Sequence, residues 1–167
     1  MPDPRWRGIA TKLKGNPMPF DAMPEPLDSA RGRLLSEREH LETALAVLRD
    51  AQARIGTPKK WMCGANVSFS RTGERRICAR QAITEALGAH GNDIQPVDVF
   101  LVYGAVASEA SPAIHAYCDP HTVSVDWALN LVHFQHVIER ANDMKGGYPR
   151  VMGMFCRAIA RLETALA

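Results

Sequence analysis

Proline sets the first boundary in this chain. Six of its eleven prolines lie within residues 1–35, at Pro2 and Pro4 and through "NPMPFDAMPEP". Each ring fixes φ and removes a backbone donor, so neither a helix interior nor a central strand can run through such a stretch. Residues 1–35 therefore read as an extended Pro-rich arm, and residues 36–167 as a single helical domain. The arm also carries Trp6, Met18, Phe20 and Met23. Large apolar side chains spaced along such a segment suit docking, so residues 1–35 are expected to reach a protein partner or a second copy of the chain.

From Ser36 the pattern turns helical. "SERE" is a capping box, and Leu41, Ala44, Leu45, Leu48 and Ile55 then keep helical spacing up to Gly56. The alternation in "NVSFS", followed by Thr72-Gly73, predicts a short β-hairpin. "ICARQAITEALGAHG" predicts a second helix with Cys78 in its first turn. Pro96 opens a third in "VDVFLVYGAVASEA", although Val97 to Val102 is β-favouring enough to form a buried strand instead. Asp119-Pro120 offers an N-cap and an N1 proline for a long helix reaching about Asn142, striped by Trp127, Leu131, Phe134 and Ile138. Gly146-Gly147 breaks it. Val151, Met154, Phe155, Ala158, Ile159 and Leu162 then mark the final helix. The expected fold class is mainly α: about five helices, a short β-hairpin and the extended N-terminal arm.

A hydrophobic fraction of 46% over 167 residues supplies a core without help from disulfides or metals. The four cysteines form no C-x-x-C, "MPDPRWRG" lacks the apolar run of a signal peptide, and no stretch approaches transmembrane length. These features lead us to expect a cytoplasmic protein with reduced thiols, no membrane association and no cofactor.

The net charge of +2 conceals a segregation. Residues 1–80 hold fifteen Lys/Arg against nine Asp/Glu, whereas residues 81–139 hold seven Asp/Glu and no Lys or Arg. Either the molecule has opposed charged surfaces, or the middle block is largely buried with its acids solvated. The cationic side is densest in residues 59–80, where Lys59, Lys60, Arg71, Arg75, Arg76 and Arg80 face only Glu74. A hairpin with a helix start beside it could hold phosphate or carboxylate groups there, and the interleaved Trp61 and Phe69 could stack on a base. The bland alternative is a solvated basic face with its aromatics packed inward. Nucleic acid is a candidate partner of this face.

Three further patterns bear on chemistry. Cys78 sits at a helix start with Arg75, Arg76 and Arg80 near in sequence, and both influences favour a thiolate nucleophile. His90, His115, His121, His133 and His136 are the available bases, none tied to it by a family spacing. A packed, unreactive cysteine is the competing reading. In "HAYCDPH", His115, Cys118 and His121 have ligand-like spacing, but zinc needs a fourth ligand from a fixed backbone. Asp119-Pro120 already accounts for the stretch as a loop and helix start, so no metal site is expected. On the long helix, Asp126, Asn130 and His133 share a face that reads as its wet side.

"WMCGANVSFSRTGERRICARQAITEAL" with "VIERANDMKGGYPRVMGMFCRAIARLE" resembles a family of small bacterial and phage domains of unknown function. The resemblance rests on an early W-x-x-G-A, a later C-A at a helix start and a late W-N-D. The matching residues are Trp61, Gly64, Ala65, Cys78, Ala79, Asn142 and Asp143, with Ala141 where the family has tryptophan and a longer insert between the motifs. It covers about half of the chain and implies that the hairpin, the Cys78 turn and the Asn142-Asp143 corner converge in space. The leading expectation is a small interaction protein that uses its arm and basic hairpin face to bind a protein or polyanionic partner. The alternative is a cysteine-dependent enzyme with Cys78 as nucleophile.

Overall fold

Ser36 caps the first helix as the sequence predicts. Its hydroxyl accepts from the Glu39 N–H at 3.3 Å while the Glu39 carboxylate accepts from the Ser36 N–H at 2.8 Å, closing both orphan donors at the helix start. The computed structural model describes residues 36–64, 67–118 and 127–167, the side chains of Asn92 and Trp127 aside. The expected arm, His121 and the Asp119-Pro120 helix start lie outside the described residues.

The elements run α1 (Glu37–Arg54), β1 (Val67–Phe69), β2 (Arg75–Ile77), α2 (Ala79–His90), a 3-10 turn at Gly91–Asp93, α3 (Pro96–Ala107), α4 (Pro112–Tyr117), α5 (Trp127–Asp143) and α6 (Gly147–Leu166). The fold is mainly helical with one small antiparallel hairpin, and no helix among the described residues is long and apolar enough to cross a membrane. The extra helix relative to expectation is α4. Six residues give too little periodicity to read from sequence, and tertiary burial of Ile114 fixes it.

The core is built around α1, which packs against α2, α3 and α6 through Ala44, Val47, Leu48 and Ala51. From the far side, α6 contributes Val151, Met154, Phe155, Ala158 and Leu162 at three- and four-residue spacing, as its sequence stripe predicts. Val97 to Val102 is helical. Pro96 starts α3, and the Asp98 carboxylate caps it by accepting from the Gln95 N–H at 2.7 Å. This helix lies against α1, α5 and α6, which explains its hydrophobic run. Gly104 lets α5 approach: a Cβ there would sit 3.1 Å from the Phe134 ring.

The charge segregation resolves into pairing. Glu85 binds Arg75 and Arg54, Glu139 binds Arg80, and Glu109 binds Arg157 and Arg161. Three acids of the middle block thus meet arginines from the blocks on either side. Asp98 is fully buried and receives His40 Nδ1 at 2.7 Å, clipping α1 to α3. Replacing His40 with Ala should cost roughly 3 kcal/mol, because a buried carboxylate loses its partner. Urea denaturation of His40→Ala against the parent chain measures this, and a difference below about 1 kcal/mol would contradict the clip.

Candidate functional site

The hairpin turn is fixed by its own residues. Gly73 adopts a left-handed φ of 80°, its N–H donates to the Ser70 carbonyl at 3.0 Å, and the Ser70 N–H donates to the Glu74 carbonyl at 2.8 Å. A three-residue loop with glycine in this conformation joins twisted strands without splaying them. The Ser70 hydroxyl accepts from the Thr72 and Glu74 N–H groups at 3.2 and 3.0 Å, which further constrains the loop.

Three-residue strands are too short to stand alone. On the other edge of β2, the Ile77 N–H donates to the Lys60 carbonyl and the Met62 N–H to the Ile77 carbonyl, so the segment at Lys60–Met62 acts as a third strand. Ile77 is buried, whereas Phe69 is 68% exposed and Val67 37%. An aromatic ring of this size in water is the feature of the hairpin that packing does not explain.

The six sequence-selected cations separate into two groups. Arg75 forms a two-pronged pair with Glu85 on α2, one prong 2.8 Å long, and Arg80 pairs with Glu139 at 2.9 Å. The Arg75 bond, with lesser help from Gln81, holds the Glu85 carboxyl down at about 2 against the opposing effect of burial. These two arginines anchor the hairpin and α2. Lys59, Lys60 and Arg71 are exposed, and with Arg76 they lack an ion pair among the described residues. The Arg76 Nε is enclosed there with no acceptor. Lys59, Arg71 and Arg76 line an open groove of about 520 Å³ with Phe69, Ser70, Thr72 and one acid, Glu74.

Trp61 does not join this groove as a stacking surface. Its indole N–H donates to Asn142 Oδ1 at 2.7 Å, and its ring meets Tyr148 edge-on at 5.8 Å between centroids. The buried Asn142 also accepts from the Ala79 N–H at 3.1 Å and donates to the Met62 carbonyl at 3.0 Å. Next to it, the Asp143 carboxylate accepts from Asn142 Nδ2 and from the Gly64 N–H. The hairpin segment, the Cys78 turn and the Asn142-Asp143 corner therefore meet. Gly147 closes the corner, since a Cβ there would overlap the Asn142 carbonyl.

Cys78 is the N-cap of α2 rather than a member of its first turn, and only 5% of its surface is exposed. Burial raises its pKa, and the Gln81 N–H that reaches Sγ offsets this only in part. Arg75 is paired with Glu85 and Arg80 with Glu139, and Arg80, which favours the thiolate, acts less strongly on the sulfur than burial does. A thiol in this setting is held away from the thiolate form that a nucleophile requires.

The stretch "HAYCDPH" begins as helix rather than loop: His115 and Tyr117 belong to α4, and Cys118 ends it. His115 stacks on His133 at 5.9 Å, and His133 is buried, which corrects its reading as part of a wet face; Asp126 of that face lies outside the described residues. Cys118 lines a second open hollow of about 420 Å³ with Tyr117, His136, Glu139, Arg140 and Asp143. There the Arg140 guanidinium lies 3.7 Å above the Tyr117 ring. Among the described residues no group of three His, Cys, Asp or Glu side chains is placed to hold a metal ion. No family model, curated protein or solved structure matches the chain.

Two measurements check these assignments. Asn142→Asp keeps the oxygen that Trp61 and Ala79 use but cannot donate to Met62, and it sets a second carboxylate beside Asp143. It should destabilise the fold by roughly 2–4 kcal/mol in chemical denaturation, despite being nearly isosteric. In timed alkylation near neutral pH with peptide mapping, exposed Cys63 and Cys156 should react at least about tenfold faster than Cys78. Preferential labelling of Cys78 would restore the nucleophile reading.

Proposed function

We propose that this chain is a binding protein whose hairpin face holds a polyanionic partner. The observation that carries this reading is the groove lined by Lys59, Arg71 and Arg76, whose cations have no ion pair among the described residues. Elsewhere the arginines are largely consumed: Arg49 by Glu163, Arg54 and Arg75 by Glu85, Arg80 by Glu139, Arg157 and Arg161 by Glu109. Cations without an ion pair beside a constrained loop form a surface on which phosphates can replace water. The burial of Cys78 supports binding over the cysteine-dependent alternative. In this reading the proline-rich residues 1–35 add a separate contact, to a protein partner or a second copy, which rests on the sequence alone.

Binding of inorganic polyphosphate and of labelled DNA, measured at two salt concentrations, tests the proposal. Affinity should fall steeply with salt, because each neutralised phosphate releases condensed counterions. Replacing Arg71 and Arg76 with Ala should weaken binding and flatten the salt slope by roughly one unit per lost contact. Arg49→Ala should leave that slope unchanged, since its guanidinium is held by Glu163 on α6 and does not line the groove. Absence of binding at low salt, or a slope indifferent to the Arg71 and Arg76 changes, overturns it.

A further inference from the structure

The polyanion reading leaves Phe69 unused. Cations alone would serve any phosphate polymer, yet the ring projects into solvent from the last position of β1, at the same groove that Lys59, Arg71 and Arg76 line. Its neighbours bear on why it is there. Across the ladder Phe69 faces Arg75, whose guanidinium turns away to Glu85, so the pair does not cover the ring. The same register places Val67 opposite Ile77, and Val67 is itself partly exposed. The ring is held by a hairpin with a bonded turn, a third strand segment on its far side and an arginine strut to α2. The flat ring keeps 68% of its surface exposed.

Building on the polyanion reading, we infer that the partner is a single-stranded nucleic acid, with an unpaired base stacked on Phe69 and the flanking phosphates held by Lys59, Arg71 and Arg76. The chemistry of the site separates this ligand from other polyanions. Polyphosphate and sulfated sugars present charge without a planar aromatic face. A duplex presents phosphates too, but its bases are stacked on one another and offer Phe69 nothing unless the helix is opened. A single strand brings both parts: a repeating phosphate for the cations and a free π-face for the ring. Arg76 fits the same picture. Its Nε has no acceptor among the described residues, and a phosphate entering the groove would supply one. Because stacking is indifferent to base identity, the site should show little sequence preference.

The test uses the full chain and four probes at low salt: a homothymidine DNA strand, a homouridine RNA strand, a DNA duplex of matched phosphate content, and inorganic polyphosphate. Both single strands should bind more tightly than the duplex or polyphosphate. Phe69→Ala should weaken single-strand binding by about tenfold and leave duplex and polyphosphate binding unchanged. Phe69→Trp should retain or strengthen it. The exposed ring makes little packing contribution, so Phe69→Ala is expected to fold, and an unchanged denaturation curve checks this. If Phe69→Ala changes all four affinities alike, or none, the stacking inference falls while polyanion binding stands. If no probe binds at low salt, the polyanion reading falls and this inference with it.

Discussion

The side-chain amide of Asn142 is bonded at both ends inside the corner where three parts of the chain meet. Its oxygen takes the Trp61 indole N–H and the Ala79 backbone N–H, and its nitrogen reaches the Met62 carbonyl and Asp143. Water does not compete at a site this buried, so each bond is made within protein or lost. The hairpin depends on this corner. Two strands of three residues bury little, and their attachment to the helices runs through the segment that Asn142 holds. Placement of Phe69 and of the groove cations thus depends on an amide on α5 together with the Arg75–Glu85 pair.

Charge follows a similar economy. A middle block without Lys or Arg would, as an isolated segment, repel itself and attract the basic blocks on both sides. In the fold that attraction is satisfied internally by Glu85, Glu109 and Glu139, each holding two arginines or one. Most of these pairs are partly exposed, and each adds little to stability alone. Their larger effect is on the surface that remains. Removing Arg75 and Arg80 from the basic segment leaves Lys59, Lys60, Arg71 and Arg76 as its cations without an ion pair among the described residues.

Cys78 illustrates how local cues mislead when side-chain direction is unknown. A helix start and three nearby arginines are the conditions that lower a thiol pKa. Here the helix start is real, but burial of Sγ dominates, and two of the arginines are committed to carboxylates. The sulfur serves as an N-cap, accepting from the Gln81 N–H at 3.4 Å. Its job is to start α2 beside the Asn142 corner.

Much of the architecture was legible in the sequence because its signals act over a few residues. The Ser36–Glu39 box, the Gly73 turn, the Pro96 start and the α6 stripe are each decided within one or two turns of backbone, and each appears in the fold. Short or ambiguous segments needed the tertiary structure. Helix α4 is fixed by burial of Ile114, and Val97 to Val102 forms a helix started by Pro96 and the Asp98 cap and packed on α1, α5 and α6. The site was half legible. Its cations and Phe69 stand out in composition, but which of them face solvent was settled by partners far along the chain. Glu85 takes Arg75 from ten positions away, Glu139 takes Arg80, and Asn142 takes Trp61 across 81 positions. Periodicity and capping are local energies and can be read in order; the choice of a partner for a charge or an indole is a contact in space, made only once the helices have packed.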